Sequence, residues 1–571
     1  MPNPSFFDIA LLKTSFRRPC LAMRSQERDH LSAHLEPSTR RGLIRSTLGL
    51  LLIGFGFVMV PPIGVAYLYQ ENSASPFVIA FFVHLVIGLS LFLFRPLTFA
   101  RSKVRRIARP GIKDELRIKD GFVIVAMFWL VLGISGSIPL ALSPHLEMSI
   151  TDAIFESVSG LTTTGATVIT GLDDLPKAIL IYRQLLQWLG GMGIIVLAVA
   201  IVPMLGIGGM QLYRAETPGP IKESRLKPRI ASTAKALWMI YLVLTVACAG
   251  AYHLAGMSGF DAISHALSTV SIGGFSTHDA SLGHFDDPWI EMAAIVFMIA
   301  AGMNFALHFK VWNPWVPRWR KDFHSLYSLP SLLRSLPKRI ANHFSFALRT
   351  SRFSDYREDP ELRFYLLVLA AVAAICSAIL YLSGIFEDPW SALRNGIFQA
   401  VSISTTTGFT TTSYHAWPGF LPVLLIFASF IGGCASSTGG GLKAIRVLML
   451  FKQMGREITR LVHPNALVPV KIGKTVLPTR VIDAVWGFFA AYVLVFSLLL
   501  LALMMTGLDQ VSAFSAVAAC INNMGPGLGD VGQHYAGIND FAKWLLALAM
   551  LLGRLEIFTL LVLMSPTFWR D

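Results

Sequence analysis

Charge is what this chain has least of. Lys, Arg, Asp and Glu make up 14% of its 571 residues against 54% hydrophobic ones, where an ordinary soluble domain carries about 25% charge. So few charges cannot cover a water-facing surface of this size, and the composition is that of a polytopic membrane protein. Cysteine is also sparse. Cys20, Cys248, Cys376, Cys434 and Cys520 are scattered, which argues against a disulfide framework. His, Cys and acidic residues fall into no metal-ligand spacing, and the glycine-rich TGGGLK lacks the spacing of a phosphate-binding loop. An enzyme reading therefore finds no residues to stand on. The first forty-odd residues have no apolar core or small-residue cleavage site, so no signal peptide is expected, and Met23 is a second candidate for the start, the two being left open by the sequence.

What is present is a series of apolar runs of about 20 residues, the length that crosses a bilayer. Ten are expected, near 47–69, 77–94, 121–143, 184–205, 235–255, 290–310, 364–383, 421–442, 484–506 and 542–564. The net charge of +14 collects in alternate loops. Arg95 to Arg109, Arg214 to Lys227, Arg318 to Arg339 and Lys452 to Lys474 bracket the basic clusters, whereas 70–76, 257–289 and 507–540 contain no Lys or Arg. This positive-inside pattern replaces a nucleic-acid reading and puts both termini in the cytoplasm. A Pro- and Arg-rich stretch over 312–362 reads as a cytoplasmic insert, a solvated linker near lipid headgroups.

Between long apolar runs one phrase occurs four times: Asp152 to Gly165, Asp261 to Gly274, Asn395 to Gly408 and Ser512 to Gly525, each with an offset of 13. Each opens on a residue type suited to a helix N-cap and continues with apolar residues at helical spacing. Each then breaks into a polar stretch ending in glycine. Such irregular backbone is tolerated at membrane depth only inside protein or along a watery cavity. The layout is that of a short re-entrant helix followed by an extended loop, and four copies would surround one axis.

Backbone carbonyls in a ring can replace the water shell of a weakly hydrated cation such as potassium. The candidate coordinating backbones are Thr163-Thr164-Gly165, Ile272-Gly273-Gly274, Thr406-Thr407-Gly408 and Asn523-Met524-Gly525. Asp152 and Asp261 would offset the helix dipoles at their N-termini, and Asp279, Asp286 and Asp287 would either gather cations at the entrance or serve as ordinary solvated acids. Arg554 stands inside the last apolar run, where a charge is costly and marks a functional position. It reads as a barrier to cations below the loops, or as a structural ion pair, for instance with Glu556 or with an acid elsewhere. The run Gly432, Gly433 through Gly439, Gly440, Gly441 and on to Lys443 is too glycine-rich to continue a helix. It reads as a movable gate, or as close packing through small residues.

At FESVSGLTTTGAT, SIGGFSTHD, GGCASSTGGGLK, NNMGPGLG and GRLE the chain resembles the Trk/Ktr/HKT superfamily of potassium transporters, most closely its bacterial TrkH/TrkG type. The likeness runs from about residue 42 to the end, without the 312–362 insert. It implies an all-α polytopic membrane protein of four tandem span–pore helix–span repeats around a central ion pathway, plus two extra N-terminal transmembrane helices. On this reading residues 1–46 are a cytoplasmic tail and 47–120 the extra pair with its basic loop. The repeats are 121–231, 232–311, 363–475 with the gating loop, and 476–571. The resemblance further implies potassium as the transported ion with no organic cofactor on this chain, a bacterial inner-membrane location, a homodimer, and a cytosolic nucleotide-binding regulatory subunit of the TrkA type. Two other readings stay open: proton- or sodium-coupled symport, with Glu156 and His265 as the titratable candidates, and a non-conducting membrane scaffold or sensor.

Overall fold

The computed structural model describes residues 37–93, 118–191, 193, 230–312, 354–473 and 475–569. The expected N-terminal tail up to residue 36, Cys20, the basic clusters at Arg95 to Arg109, Arg214 to Lys227 and Arg318 to Arg339, Lys474, most of the 312–362 insert and the far end of the fourth span lie outside the described residues. Apart from one two-stranded ribbon, Lys471–Ile472 paired antiparallel with Thr475–Val476, the described elements are helical.

Two helical rods, α1 (Pro37–Gly56), which continues through a short 3-10 turn into α2 (Val60–Leu68), and α3 (Ala74–Leu93), pack against each other. They are followed by α4 (Ile118–Ser135), the short α5 (Ile150–Leu161) and α6 (Lys177–Gly191). Next come α7 (Ile230–Leu254), short α8 (Gly259–Ser271), and α9 (Pro288–Gly302) with α10 (Phe305–Trp312). The third set is α11 (Pro360–Leu382), α12 (Pro389–Ser404), α13 (Leu421–Ile431) and α14 (Ala444–Val462). The last is α15 (Thr479–Met504), α16 (Gln510–Ile521), α17 (Asp540–Arg554) and α18 (Phe558–Met564).

Among the described residues six helical spans are long and apolar enough to cross a membrane, and up to eight if the bent pairs α9–α10 and α17–α18 each count as one. Of the ten runs expected, 184–205 lies partly outside the described residues, and at 421–442 the helix stops at Ile431, where the glycine run leaves the helical conformation as its composition led us to expect. The outer helices leave apolar side chains uncovered: on α15 Trp486, Val493, Leu494, Leu498 and Leu501 are all exposed. A protein in water does not leave such a row bare, whereas hydrocarbon covers it.

The four short helices are the inverse of this surface. Every residue of Ala153–Leu161 is buried, as is every one of Ser264–Ser271. Helix α6 packs against both α5 and α8, while α17 packs against α5 and α16. The expected N-caps need correcting. The capping side chains are Ser149, Ser258 and Asp509, three residues ahead of Asp152, Asp261 and Ser512, and Asp388 for α12. Ser149 Oγ accepts the Asp152 N–H at 3.1 Å and its hydroxyl donates to the Asp152 carboxylate at 2.8 Å. Asp152 and Asp261 thus sit in the first turn, where a carboxylate complements the dipole. Pro389, whose fixed φ suits the first helical position, lets α12 begin earlier than its counterparts.

Candidate functional site: a ring of four glycine loops

All four short helices end alike. The N–H groups of Thr163, Ile272, Thr406 and Asn523 bond to carbonyls three residues back at 3.0, 3.1, 3.0 and 3.2 Å. Those of Thr164, Gly273, Thr407 and Met524 bond to carbonyls five residues back at 2.9, 2.9, 2.8 and 2.8 Å. This is the Schellman pairing that closes a helix through a left-handed residue. Here the left-handed residues are Thr163, Ile272, Thr406 and Asn523, with φ of 57°, 56°, 68° and 53°. Three of the four are β-branched, which makes them outliers in that region, and each such residue stores about 1–3 kcal/mol of strain that the surroundings must hold.

Two positions on, Gly165, Gly274, Gly408 and Gly525 also have positive φ, from 79° to 97°. The space around them closes a circle. A Cβ on Gly525 would meet the Thr164 carbonyl oxygen at 2.7 Å, and on Gly165, Gly274 and Gly408 it would run still closer into the carbonyl oxygens of Gly273, Thr407 and Met524. Each loop therefore abuts the residue before the glycine of the next, and the fourth returns to the first. All twelve residues expected to form the coordinating backbones, from Thr163 to Gly525, are brought together in this ring.

Braces around the ring come from Asn523 and Glu156, already singled out, and from Gln187, Tyr535 and Arg183, which the sequence reading did not mark. Gln187 on α6 donates to the Gly273 carbonyl at 2.5 Å and accepts from the Phe275 N–H at 3.1 Å. Tyr535 donates to the Gly525 carbonyl at 2.7 Å, and Asn523 Nδ2 donates to Thr164 Oγ1 at 2.9 Å across two loops. Arg183, fully buried on α6, pairs with Glu156 at 2.8 Å and donates to the Ser276 carbonyl at 3.1 Å. The signal was available: Gln187 falls inside the expected apolar run 184–205 and Arg183 just before it, one helical turn away, and a polar residue in such a run is a functional-site candidate. Glu156 also accepts from Val168 N–H at 2.9 Å. His265 is bonded at both ring nitrogens, to the Asp261 carbonyl at 2.9 Å and Ser276 Oγ at 2.9 Å.

The glycine run 432–443 lies against this ring. Gly440 N–H donates to Thr406 Oγ1 at 2.7 Å, Gly441 N–H to the Asn522 carbonyl at 3.2 Å, and Thr438 Oγ1 to the Val270 carbonyl at 3.1 Å. Gly432 and Gly441 have positive φ, as does Lys443 at 76°, whose buried ammonium bonds back to the Gly439 carbonyl. Gly433 accepts the Ala444 N–H at 3.0 Å, tying the run's two ends. Arg554 ends α17, where the chain bends by 111°. Its guanidinium donates to the Thr438 carbonyl at 3.1 Å and Thr163 Oγ1 at 3.3 Å, and bonds the carbonyls of Gly190 and Gly191. Of the ion-pair partners considered for Arg554, Glu556 is instead bonded to Arg446 at 2.7 Å.

The acids expected at the entrance are engaged in structure. Asp279 accepts the Leu172 N–H at 3.0 Å, Asp286 pairs with Arg394 at 3.0 Å, and Asp287 caps α9; Asp152, expected at its helix N-terminus, pairs with Lys543 at 2.5 Å. Cys248, Cys376, Cys434 and Cys520 are free and buried. The expectation of no metal-ligand grouping is corrected, because Asp173, His278 and His284 gather potential ligand atoms within 4.8 Å of one another. Partial burial disfavours the charged imidazole of His278, but its hydrogen bonds and charge contacts with Asp261 and Asp173 outweigh this and raise its pKa.

The family model for TrkH, described as a cation transport protein, matches residues 91–570. The chain is 52% identical to the Trk system potassium uptake protein TrkH of Vibrio parahaemolyticus over 93% of this chain and 99% of that one. It is 49% identical to TrkH of Escherichia coli K12 over 92% and 99%, and 40% identical to the TrkG of that strain over 92% and 97%. The crystal structure of the potassium transporter TrkH from Vibrio parahaemolyticus superposes with a TM-score of 0.75 at 50% identity, covering 92% of this chain and 99% of that one. These relatives are transporters and not enzymes, and the chain belongs to the TrkH family of cation transport proteins.

Proposed function

We propose that this chain takes up potassium through the ring of glycine loops, whose carbonyl oxygens replace the ion's water, with the 432–443 run and Arg554 as the gate beneath. The observation that carries this reading is the closed circle of contacts, in which each glycine meets the carbonyl of the next loop. Four short helices, each flanked by long apolar ones, act as pore helices in four tandem repeats, outside which the N-terminal pair stands. The gate reading is supported by the bonds from the run to Thr406, Asn522 and Val270, and by Arg554 bridging Thr438 to Thr163. The names of the relatives supply potassium as the ion.

Conduction is favoured over coupled symport because both titratable candidates are fully engaged, Glu156 by Arg183 and Val168, and His265 at both nitrogens. The positive-inside pattern supports cytoplasmic termini with the short helices entering from outside, and the likeness to bacterial Trk proteins supports an inner-membrane location. A homodimer and a TrkA-type nucleotide-binding partner on the cytoplasmic face complete the proposal.

The test is 86Rb+ uptake into proteoliposomes holding this chain alone, under an imposed potassium diffusion potential. Uptake that excess K+ blocks, excess Na+ spares and a pH gradient fails to drive is expected. Uptake driven by the pH gradient would favour symport, and absence of flux even with a regulatory partner added would favour a scaffold or sensor.

A further inference from the structure

On the face of the molecule that carries the N-termini of the short helices, the loops following Gly165 and Gly274 meet. Asp173 lies in the turn Leu172–Asp174, and His278 and His284 follow the second glycine. His278 Nδ1 is 2.5 Å from Asp173 Oδ1, and His284 Nδ1 is 4.0 Å from the same oxygen. The two imidazoles lie parallel, 2° apart in plane with centroids 3.6 Å apart. The Phe285 ring stands edge-on to both, at 5.4 and 5.2 Å. The loops are tied backbone to side chain as well: Leu172 N–H donates to Asp279 Oδ2 at 3.0 Å, and Asp279 N–H to Asp173 Oδ2 at 3.4 Å. Behind the cluster Asp261 Oδ1 is 3.6 Å from His278 Nε2.

Two imidazole nitrogens and one carboxylate oxygen, with solvent at the open side, form the donor set of a borderline-soft divalent cation with a water in its fourth position. Magnesium and calcium call for oxygen ligands, and potassium for neutral oxygens. The side chains of Asp173 and His284 are 46% and 45% exposed, so an ion can reach them from water. Ligand atoms already within 4.8 Å of one another need the two parallel rings to turn out of their stack, so that each nitrogen lone pair points at one ion about 2.0–2.2 Å away. Asp261, facing the remote nitrogen of His278, is placed as the outer carboxylate that orients a ligating imidazole.

We propose that Asp173, His278 and His284 form a binding site for a divalent cation of the zinc class, which cross-links the loops after the first and second glycines. The site stands apart from the conduction reading, since binding is measured without flux.

Full-length, tag-free, chelator-treated protein in detergent is titrated with Co2+, whose visible absorption reports tetrahedral ligation, and the Co2+ is then displaced with Zn2+. One ion per chain is expected, insensitive to excess Mg2+. His284→Ala and Asp173→Asn should each weaken binding by at least about tenfold. His284→Gln serves as a second variant, and thermal unfolding confirms that each remains folded. No binding, binding unchanged in all the folded variants, or displacement by Mg2+ as readily as by Zn2+ would overturn the assignment.

Discussion

Replacing Gly408 by Ala adds one methyl group where the ring has no room. The residue sits at φ 84°, and the new Cβ would collide with the Met524 carbonyl oxygen and approach Pro526 Cδ to 2.8 Å. The left-handed conformation costs an L-residue about 1–2 kcal/mol, and overpacking adds about 1–3 kcal/mol, for roughly 2–5 kcal/mol if nothing moves. The cheapest relief is to push the Met524 carbonyl out of line. If about 1.4 kcal/mol of the cost is relieved there, the balance between ions changes about tenfold. Gly171→Ala supplies the control, because Gly171 has φ 74° but nothing within 4 Å of its Cβ position. It carries the same backbone strain without the crowding. Rubidium uptake with and without sodium, in proteoliposomes of equal protein content, should show K+/Na+ discrimination reduced about tenfold or more for Gly408→Ala and unchanged for Gly171→Ala. Equal discrimination in the two folded variants would refute the ring as the selecting element.

Other consequences follow from single contacts. Arg554→Ala removes the donors that hold the Thr438 carbonyl and Thr163 hydroxyl, so rubidium flux should rise, and flux at or below the parent level would contradict the gate. Glu156→Gln leaves the fully buried Arg183 without its counter-charge, a loss worth about 3–5 kcal/mol; a thermal unfolding midpoint equal to the parent's would show that the pair contributes nothing. Ser258→Ala removes the cap of α8 and should cost about 0.5–2 kcal/mol, read as a lower unfolding midpoint with ion discrimination retained. A change in discrimination without a change in stability would move Ser258 from capping into the ion path.

Much of the architecture was legible because lipid imposes a length and an apolar composition that few other settings require. The four phrases were legible for a related reason: irregular, hydroxyl-rich backbone between such runs has to be sheltered. The break at Gly432 was visible in propensity alone. The cap positions were not, since Ser149, Asp152 and their equivalents are all acceptable near a helix start, and only the hydrogen bond from Asp152 N–H to Ser149 Oγ separates cap from first turn. Left-handed Thr163, Ile272 and Thr406 could not be read either, because β-branched residues adopt that conformation only when tertiary packing overrides local preference. The partners of Arg554 and the cluster of Asp173 with His278 and His284 depend on contacts between residues about a hundred or more positions apart, which periodicity does not encode.

The central claim is that carbonyl oxygens of the four glycine loops hold a dehydrated cation between them, and anomalous diffraction from crystals soaked in Rb+ tests it most directly. The account predicts an anomalous peak on the axis of the ring, bordered by the loops at Gly165, Gly274, Gly408 and Gly525 and weakened when K+ competes. Rubidium bound elsewhere in the same crystals, with the ring empty, would contradict it.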